Sequence, residues 1–317
     1  MYYIGVDIGG TTIKYGIVDK AGQIIAQNSM ETEPISPYTI IDKLAKNVKS
    51  LCLDAKIDYS DILSVGMGCP GAINGKSGVV VYSSNLKWTN FPLKDYFEKV
   101  SSKPTRIAND ADAASLGEVI FGCAKQYKNV IMLTLGTGVG GGIVIDKKLY
   151  EGSNGMASEL GHIVMRKNGI LCGCGRRGCF EQYASATALI RMTKIAMQKH
   201  KESLLWNQVN GDLDLVNGKT AFDSADLGDK TAKKVVKKYV EYLSEGILDY
   251  CNIFRPEAII LGGGISKQGK GLTDLVVKYL EKYNYGYKGT PKAKILTAEL
   301  KNNAGIIGAA SLVAEEF

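Results

Sequence analysis

The sequence has no long apolar run, and its first residues do not show the pattern of a leader segment. A membrane-spanning helix needs about 18 consecutive apolar residues, and no stretch of the chain approaches that length. The first residues, MYYIGVD, lack the basic and apolar regions of a signal peptide. We therefore expect no membrane partner and a cytoplasmic location.

Two common nucleotide-binding signatures are also missing. The chain contains neither G-x-x-x-x-G-K-[ST] nor G-x-G-x-x-G in a β-α-β unit. These absences count against the P-loop and Rossmann folds. No linker rich in proline and serine interrupts the chain, so a domain boundary has to be inferred from a repeat.

The composition is ordinary for a globular enzyme. The 317 residues suffice for about two domains, with 45% hydrophobic and 22% charged residues. The formal net charge is +7. The densest basic cluster has helical spacing, which is more typical of a solvated helix face than of a nucleic-acid site. We therefore expect no nucleic-acid partner for this cluster of Lys233, Lys234, Lys237 and Lys238.

The stretch from Glu159 to Glu181 is the most informative part of the chain. One of only two histidines, His162, is followed by Cys172, Cys174 and Cys179. Three thiolates and one imidazole are the ligand set of a closed, tetrahedral structural zinc site. Glycines between the cysteines supply the permissive backbone angles that a chain needs to fold round a small ion.

The alternatives for these residues are free buried cysteines or a disulfide. Cys172 and Cys174 are too close for a relaxed disulfide, and four protein ligands leave no vacant position for a catalytic zinc. The segment therefore predicts a structural zinc, which would hold the two flanking carboxylates in place. The remaining cysteines are scattered, as expected for reduced thiols in a cytoplasm: Cys52, Cys69, Cys123 and Cys251.

A repeated pattern predicts an α/β protein with two related halves. A strand at 2–6 runs into the turn D-I-G-G-T-T and is followed by strands at 13–18 and 23–27. A strand at 130–135 runs into G-T-G-V-G-G-G and is followed by a strand at 143–145. Each half thus opens with a β-meander.

The repeat places the lobe boundary near residue 120. We predict an N-terminal lobe of residues 1–120 and a C-terminal lobe of residues 121–302, with the C-terminal helix, about 303–317, packing back on the N-terminal lobe. Short buried strands are predicted at 62–67 and 257–261. Helical periodicity predicts helices at 39–53, 110–121, 186–197, 229–254, 273–283 and 304–314.

Three glycine-rich turns follow strands and are candidates for nucleotide binding. Glycine has no side chain in the way, so such a turn can wrap phosphate oxygens with its backbone N–H groups. One such turn alone is more often an ordinary hairpin, but two of these stand at equivalent places in the two halves. Asp7, at the end of the first strand, either holds Mg²⁺ through water or caps the turn. The turn residues offered to a nucleotide are Gly9, Gly10, Thr11, Thr12, Gly136, Thr137, Gly138, Gly263 and Gly264.

A candidate general base stands at the start of a predicted helix. Asn109 and Asp110 follow a strand and open the segment N-D-A-D-A-A-S-L-G-E. A carboxylate at a helix N-terminus is expected to keep a low pKa and stay ionised. Asp110 can then accept a proton from an attacking hydroxyl while Asn109 hydrogen-bonds the same substrate, although both residues can equally be a plain helix cap. Asp112 ranks second as the base, because it lies inside the helix.

Seven motifs occur in one order over nearly the whole chain, and together they resemble the ROK family of bacterial sugar kinases and repressors. The most specific is H-(x)9-C-x-C-(x)4-C-x-E, which contains the predicted zinc ligands. The resemblance implies the two-lobed actin/hexokinase-type (ASKHA) ATPase fold. The motifs are D-I-G-G-T-T-I-K, G-C-P-G, N-D-A-D-A-A-S-L-G-E, T-L-G-T-G-V-G-G-G, E-L-G-H, C-G-C-G-R-R-G-C-F-E and L-G-G-G-I-S.

The resemblance also implies roles for individual residues. Asp110 matches the family's catalytic base. His162 would serve both zinc and sugar, through its two ring nitrogens. Phosphate contacts are matched by Thr11, Thr12, Lys14 and Thr137. The family's sugar ligands are matched by Asn109, Asp110, Glu159, His162 and Glu181.

The implied reaction is the ATP- and Mg²⁺-dependent phosphorylation of a hexose at its 6-hydroxyl. Glucose is the expected sugar, and a cytoplasmic homodimer acting in glycolysis is the expected enzyme. The alternatives are a kinase for N-acetylmannosamine, fructose or a β-glucoside, a non-catalytic sugar sensor of the same fold, and a zinc-stabilised interaction protein.

Two differences within the family bear on these expectations. The repressor branch carries an N-terminal helix-turn-helix, whereas this chain enters its first strand within three residues of Met1, so we expect no such domain. The family often has glycine just before the glutamate of E-x-G-H, and this chain has Ser158. The added side chain can crowd the sugar or bond to it.

Overall fold

The structure is a computed structural model that describes residues 1–286 and 289–314. Its strands are β1 (Tyr2–Ile8), β2 (Thr12–Val18), β3 (Ile24–Glu31), β4 (Ile62–Cys69), β5 (Ala72–Asn74), β6 (Val79–Ser83), β7 (Trp88–Phe91), β8 (Thr105–Asn109), β9 (Val130–Leu135), β10 (Val139–Ile145), β11 (Lys148–Leu149), β12 (Ala258–Gly262) and β13 (Lys294–Thr297). Its α-helices are α1 (Pro37–Asp54), α2 (Leu93–Ser101), α3 (Asp110–Ile120), α4 (Glu181–Ala184), α5 (Ala186–Lys199), α6 (Thr220–Asp226), α7 (Lys230–Phe254), α8 (Lys270–Tyr283) and α9 (Ala304–Ser311).

Two five-stranded sheets have the same strand order. The first is β3-β2-β1-β4-β8 and the second is β11-β10-β9-β12-β13, while β5, β6 and β7 form a small third sheet. In the first sheet β1 pairs antiparallel with β2 and parallel with β4, and β4 pairs parallel with β8. In the second sheet β10 and β11 are antiparallel, and β12 and β13 are parallel. The predicted α/β repeat is therefore confirmed.

The chain divides into two compact units. Unit 1 contains Met1–Val130, Gly142–Ser158 and the C-terminal stretch from Glu299, and unit 2 contains Ile131–Gly141 and Glu159–Ala298. The lobe limits inferred from the repeat, 1–120 and 121–302, stay a prediction. The last three residues of the predicted C-terminal helix, 315–317, lie outside the described residues.

The first sheet is covered on both faces within unit 1. Side chains alternate along a strand, and the buried Ile4 and Val6 of β1 share a core with Leu44 of α1. On the other face α9 lies directly on β1 and β4. A side chain at Gly5 or Gly66 would overlap the carbonyl groups of α9, so two glycines allow this close approach.

The parallel strands of the first sheet end on the same edge, because the carboxyl ends of parallel strands meet there. β1 ends at the first glycine turn, β4 ends at the G-C-P-G motif, and β8 ends at Asn109. The fold thus gathers three of the sequence motifs at one edge of one sheet. Among the described helices, none is long and apolar enough to cross a membrane.

Candidate functional site

The first glycine turn joins β1 to β2 in unit 1. The N–H of Gly9 donates to the carbonyl of Thr12 (3.0 Å). Thr32, just after β3, donates from its N–H to the carbonyl of Thr11 (2.9 Å) and from its hydroxyl to the carbonyl of Gly9 (2.7 Å). Gly10 and Thr11 are exposed. These hydrogen bonds hold the turn in place, and its exposed residues present backbone and hydroxyl groups to solvent.

The carboxylate of Asp7 at the end of β1 is affected by the charge of Asp110 in the same unit. Burial raises the pKa of Asp7, the charge of Asp110 raises it further, and Lys14 opposes both. Lys14 is the register partner of Asp7 on β2. Magnesium is usually bound by one or two carboxylates together with phosphate oxygens and water. This carboxylate pair therefore has the donor chemistry for Mg²⁺ beside a phosphate.

Asn109 and Asp110 stand where β8 ends and α3 begins. Oδ1 of Asn109 accepts the N–H of Ala111 (2.9 Å), and Nδ2 of Asn109 donates to the carbonyl of Gly71 (3.0 Å). Oδ1 of Asp110 accepts the same N–H of Ala111 (2.9 Å). Both residues therefore cap the helix, and the cap uses one oxygen of the Asp110 carboxylate.

The prediction of a low pKa for Asp110 is wrong. Burial raises the pKa of its carboxyl group, although the N–H groups of Ala111 and of Asp110 itself oppose the shift. The residue is exposed at the surface, yet neighbouring protein atoms desolvate its carboxyl group in part, and this desolvation outweighs the helix terminus. A carboxylate with a raised pKa accepts a proton more readily, which is what a general base requires.

The other carboxylates of α3 are buried. Asp112 is 7% exposed and Glu118 is fully buried. Glu118 accepts the N–H groups of Cys123 (3.0 Å) and Leu300 (2.8 Å), and it therefore ties α3 to the chain that leads into α9. The sequence alone does not indicate this role of Glu118, because a single sequence does not distinguish a carboxylate that anchors backbone from a solvated one.

Asn85 is a further residue beside the first glycine turn. It is exposed and lies against Gly10, where a Cβ would come within 3.3 Å of the Asn85 Cβ. Asn85 was not predictable as a neighbour of the turn, because the surrounding S-N-L-K-W carries no recognised binding signal.

The second glycine turn joins β9 to β10 and is held by the start of α5 in unit 2. The N–H of Gly136 donates to the carbonyl of Gly138 (3.0 Å). The N–H of Ala186 donates to the carbonyl of Gly136 (2.8 Å), and the hydroxyl of Thr187 donates to the carbonyl of Thr137 (2.8 Å). The side chain of Thr137 is exposed, as a phosphate contact requires.

The third glycine turn follows β12 in unit 2. Gly263 has a φ of +80°, and a Cβ there would lie 2.6 Å from the carbonyl oxygen of Leu135. Both observations require glycine. Gly264 lies beside it with open space around its Cα, so this turn leaves room for a ligand.

Four metal-binding groups come together in unit 2. One ligand atom from each of His162, Cys172, Cys174 and Cys179 lies within 4.8 Å of the other three. Nδ1 of His162 is 3.7 Å from Sγ of Cys172, and the Sγ atoms of Cys174 and Cys179 are 3.6 Å apart. Sulfur atoms that bind one tetrahedral ion at 2.3 Å stand about 3.8 Å from each other. The arrangement therefore fits one ion with four protein ligands, and we call these four residues the metal cluster.

Tight turns build the metal cluster. The N–H of Cys172 donates to the carbonyl of Arg176 (2.8 Å). Gly175 and Gly178 have φ values of +87° and +84°, which glycine adopts without strain. The seven cysteines of the chain, all within the described residues, are free thiols.

The ring of His162 faces the metal cluster on one side and Glu159 on the other. Its Nδ1 is the atom near Cys172, and its Nε2 lies 3.9 Å from Oε2 of Glu159. The side chain of Glu159 is 61% exposed. The two ring nitrogens thus have different neighbours, as a shared role for zinc and sugar requires.

Glu181 lies between the metal cluster and the second glycine turn. Its Oε1 is 3.5 Å from Sγ of Cys172, and its Oε2 accepts the N–H of Val139 (3.1 Å). The contact with Val139 was not predictable from the sequence, because the two residues are 42 positions apart.

Ser158 has a left-handed backbone. Its φ is +67°, in the region that favours glycine, and this explains physically why a glycine suits the position. The Ser158 hydroxyl donates to the carbonyl of Tyr150 (3.3 Å). The serine at position 158, in place of the family's glycine, therefore strains the backbone. Its hydroxyl bonds to Tyr150 of the same unit.

Comparison with known proteins identifies the family of the chain. The ROK family profile matches residues 3–316. The glucokinase of Streptomyces coelicolor is 38% identical over 314 residues, which cover 98% of this chain and 97% of that protein. A ROK family glucokinase from Streptomyces griseus, solved in complex with glucose and AMPPNP, is 37% identical with a TM-score of 0.81 over 98% of this chain and 99% of that one. The xylose repressor of Bacillus spizizenii is 29% identical over all of this chain but only 78% of the repressor. The motifs, the sheet order and these matches agree, and the chain belongs to the ROK family, with its actin/hexokinase-type α/β fold.

Proposed function

We propose that this chain is an ATP-dependent glucokinase that phosphorylates the 6-hydroxyl of glucose. One observation carries the proposal: the desolvated Asp110, with its raised pKa, begins α3 in the same unit as Asp7 and the first glycine turn. A general base, a candidate magnesium ligand and a candidate phosphate-binding turn are the parts that such a kinase needs. The similarity to the two Streptomyces glucokinases supports glucose as the sugar and ATP as the donor.

In the proposed reaction Asp110 takes the proton of the sugar 6-hydroxyl while that oxygen attacks the γ-phosphorus of ATP in line. The bond from the γ-phosphorus to the β,γ-bridging oxygen breaks, that oxygen keeps the electron pair, and ADP leaves. Asp110 then returns its proton to solvent. Mg²⁺, when bound near Asp7, supplies neutralisation of phosphate charge. Because phosphoryl transfer needs little covalent help, positioning provides most of the remaining acceleration.

The binding assignments follow the family resemblance. The sugar hydroxyls are assigned to Asn109, Asp110, Glu159, His162 and Glu181. The nucleotide is assigned to the three glycine turns with Asp7 and Lys14, through Gly9, Gly10, Thr11, Thr12, Gly136, Thr137, Gly138, Gly263 and Gly264. Exposure of Thr11 and Thr137 supports the second assignment.

The proposed ion of the metal cluster is zinc in a structural role. Three soft thiolates and one imidazole in a tetrahedral arrangement select zinc, and four protein ligands leave no position for a substrate. Glu159 and Glu181 flank the metal cluster, so the ion would hold both carboxylates in place for the sugar.

The proposal also covers the oligomeric state, the location and the pathway: the enzyme is a cytoplasmic homodimer that phosphorylates glucose for glycolysis. This part rests on the family resemblance. Light scattering coupled to size exclusion checks it, with twice the chain mass of 34.2 kDa expected, and a monomeric mass in active protein would contradict it.

The test of the function is ADP release from ATP over a panel of sugars. We expect the highest kcat/KM with glucose, compared with N-acetylmannosamine, fructose and a β-glucoside. A faster reaction with another hexose would change the proposed substrate but would still support a sugar kinase. Glucose binding without any ADP formation would contradict the proposal and favour the sugar sensor.

A further inference from the structure

The carboxylate of Glu181 contacts two different parts of unit 2. Oε2 accepts the N–H of Val139, the first residue of β10 (3.1 Å), and Oε1 lies 3.5 Å from Sγ of Cys172 in the metal cluster. Glu181 opens α4 two residues after Cys179, the last ligand of the cluster. One short side chain therefore reaches from the metal cluster to the second glycine turn.

The turn is shaped around this contact. A Cβ on Gly138 would overlap Oε2 of Glu181, and a Cβ on Gly161 would overlap the carbonyl of Val139. The other supports of the turn come from Ala186 and Thr187 at the start of α5, which follows α4 directly. All the supports named here therefore belong to the segment that leaves the metal cluster.

The contact with Val139 is costly to lose. Val139 is only 5% exposed, so water does not readily replace the carboxylate as the acceptor of its N–H. A buried N–H without a partner disfavours its conformation about tenfold or more, so the turn would rearrange without this carboxylate.

We infer that Glu181 is a positioning residue that holds the second glycine turn in the shape that binds nucleotide and links that shape to the metal cluster. Order in the metal cluster then sets the affinity for nucleotide as well as the place of the sugar ligands. The inference rests on the assignment of this turn to ATP in the proposed function. It adds a backbone contact to the sugar contact assigned to the same residue.

Two substitutions at position 181 test the inference. Glu181→Ala removes the acceptor of the Val139 N–H. Glu181→Gln keeps an amide oxygen for that N–H and presents an amide donor to Cys172. Glu159→Ala is the matched control, because it removes a carboxylate that contacts the metal cluster through His162, at 3.9 Å.

The first measurement is calorimetric titration of each variant with ADP, without sugar and at saturating zinc. We expect Glu181→Ala to bind ADP about tenfold more weakly or worse, from the cost of an unpaired buried N–H. Glu181→Gln and Glu159→Ala should stay within about threefold of the unchanged protein. Unchanged ADP affinity in Glu181→Ala, together with unaltered amide exchange of the turn as described next, would overturn the inference.

The second measurement is amide hydrogen exchange, which does not depend on any activity. Glu181→Ala, and equally the unchanged protein after chelation of its zinc, should exchange faster at residues 136–141 and at an unaltered rate in the first glycine turn. Unaltered exchange at 136–141 would overturn the inference. Faster exchange with unaltered ADP affinity would instead contradict the assignment of this turn to nucleotide, which belongs to the proposed function.

Discussion

The two glycine turns after β1 and β9 stand at equivalent places in sheets of one strand order, yet different contacts hold them. Thr32, beside β3 of the same meander, holds the first turn. Glu181 and the start of α5, which follow the metal cluster, hold the second. The comparison shows that the shared topology sets where a turn stands, while the stabilising contacts differ: they come from the meander itself in unit 1 and from the segment after the metal cluster in unit 2.

The two units also differ in the functional groups that each brings together. Unit 1 gathers two carboxylates, Asp7 and Asp110, whose pKa values are raised by burial. Unit 2 gathers the metal cluster and the carboxylates of Glu159 and Glu181. We therefore expect the largest loss of turnover from a change in unit 1, and the largest effects on metal and nucleotide binding from changes in unit 2.

The largest effect is expected in unit 1, from Asp110→Asn. The amide keeps the size and the cap but cannot accept a proton, and loss of a general base typically costs about 10² to 10⁴ in rate. We expect kcat to fall on that scale with glucose still bound, as measured by ADP release and glucose calorimetry. Asp112→Asn should reduce kcat far less. A destabilised Asp110→Asn that turns over near the normal rate would make Asp110 only a cap.

The second effect tests unit 2, through the metal. One zinc per chain should purify with the protein, and stripping it should lower activity and melting temperature together, because metal binding is coupled to folding of the site. We expect a fall of about 5 °C or more in Tm. Cys174→Ser should behave like the stripped protein, whereas Cys251→Ser, outside the metal cluster, should keep its zinc. Elemental analysis that finds no zinc in active protein would refute the metal assignment.

The third effect separates nucleotide from sugar within unit 2. Thr137→Phe should weaken ATP about tenfold or more, because a bulky ring would stand where the turn approaches phosphates, and glucose affinity should stay near normal. Thr187→Val removes only the hydroxyl that bonds the Thr137 carbonyl, so its effect on ATP should be smaller. Calorimetry with each ligand measures both. Loss of glucose binding with normal ATP binding would reverse the assignment of the two sites.

A smaller effect concerns the stability of unit 1 as pH changes. At a pH above the raised pKa of Asp110, its ionised and partly desolvated carboxylate lowers the free energy of unfolding of the native protein. The neutral amide of Asp110→Asn has no such effect. The variant should therefore be the more stable at neutral pH. Its advantage should shrink as pH falls through the raised pKa and vanish below the ordinary aspartate value of about 3.9. Urea unfolding from pH 7 downward measures this, and an advantage that grows towards acid pH would contradict the raised pKa.

The smallest effect is expected at Ser158. A left-handed backbone costs a non-glycine residue about 1 to 2 kcal/mol, and glycine gives back about 0.5 to 1 kcal/mol in chain entropy. Ser158→Gly should therefore stabilise the protein by about 0.5 to 1 kcal/mol in urea unfolding. Ser153→Gly, in the same loop but outside the left-handed region, should destabilise it slightly. Equal effects of the two substitutions would show that backbone strain at Ser158 is unimportant.

Long periodic elements were predictable from the sequence, and short ones were not. The strand at 130–135 has the predicted bounds, and α7 begins one residue after the predicted start. The small sheet of β5, β6 and β7 was not predicted, because strands of three to five residues are too short to show a period. Helices α2 and α6, of nine and seven residues, were also not predicted; each makes only about two turns.

The candidate site was predictable where ligand chemistry is local in sequence. The spacing of His162 and the three cysteines indicated the metal cluster, and the structure brings the four groups together. The contact between Glu181 and Val139 depends on how distant segments fold together, so no sequence pattern reveals it. The pKa of Asp110 was predicted in the wrong direction, because burial is a property of the fold and outweighs the helix terminus.

The central claim is that this chain transfers the γ-phosphoryl group of ATP to glucose with Asp110 as the proton acceptor. Phosphorus NMR of the unchanged protein with ATP, Mg²⁺ and glucose tests it most directly, with Asp110→Asn run beside it. We predict equal amounts of ADP and glucose 6-phosphate from the unchanged protein, and almost none from Asp110→Asn over the same time. ATP consumed without any sugar phosphate, or glucose 6-phosphate formed equally fast by Asp110→Asn, would contradict the account.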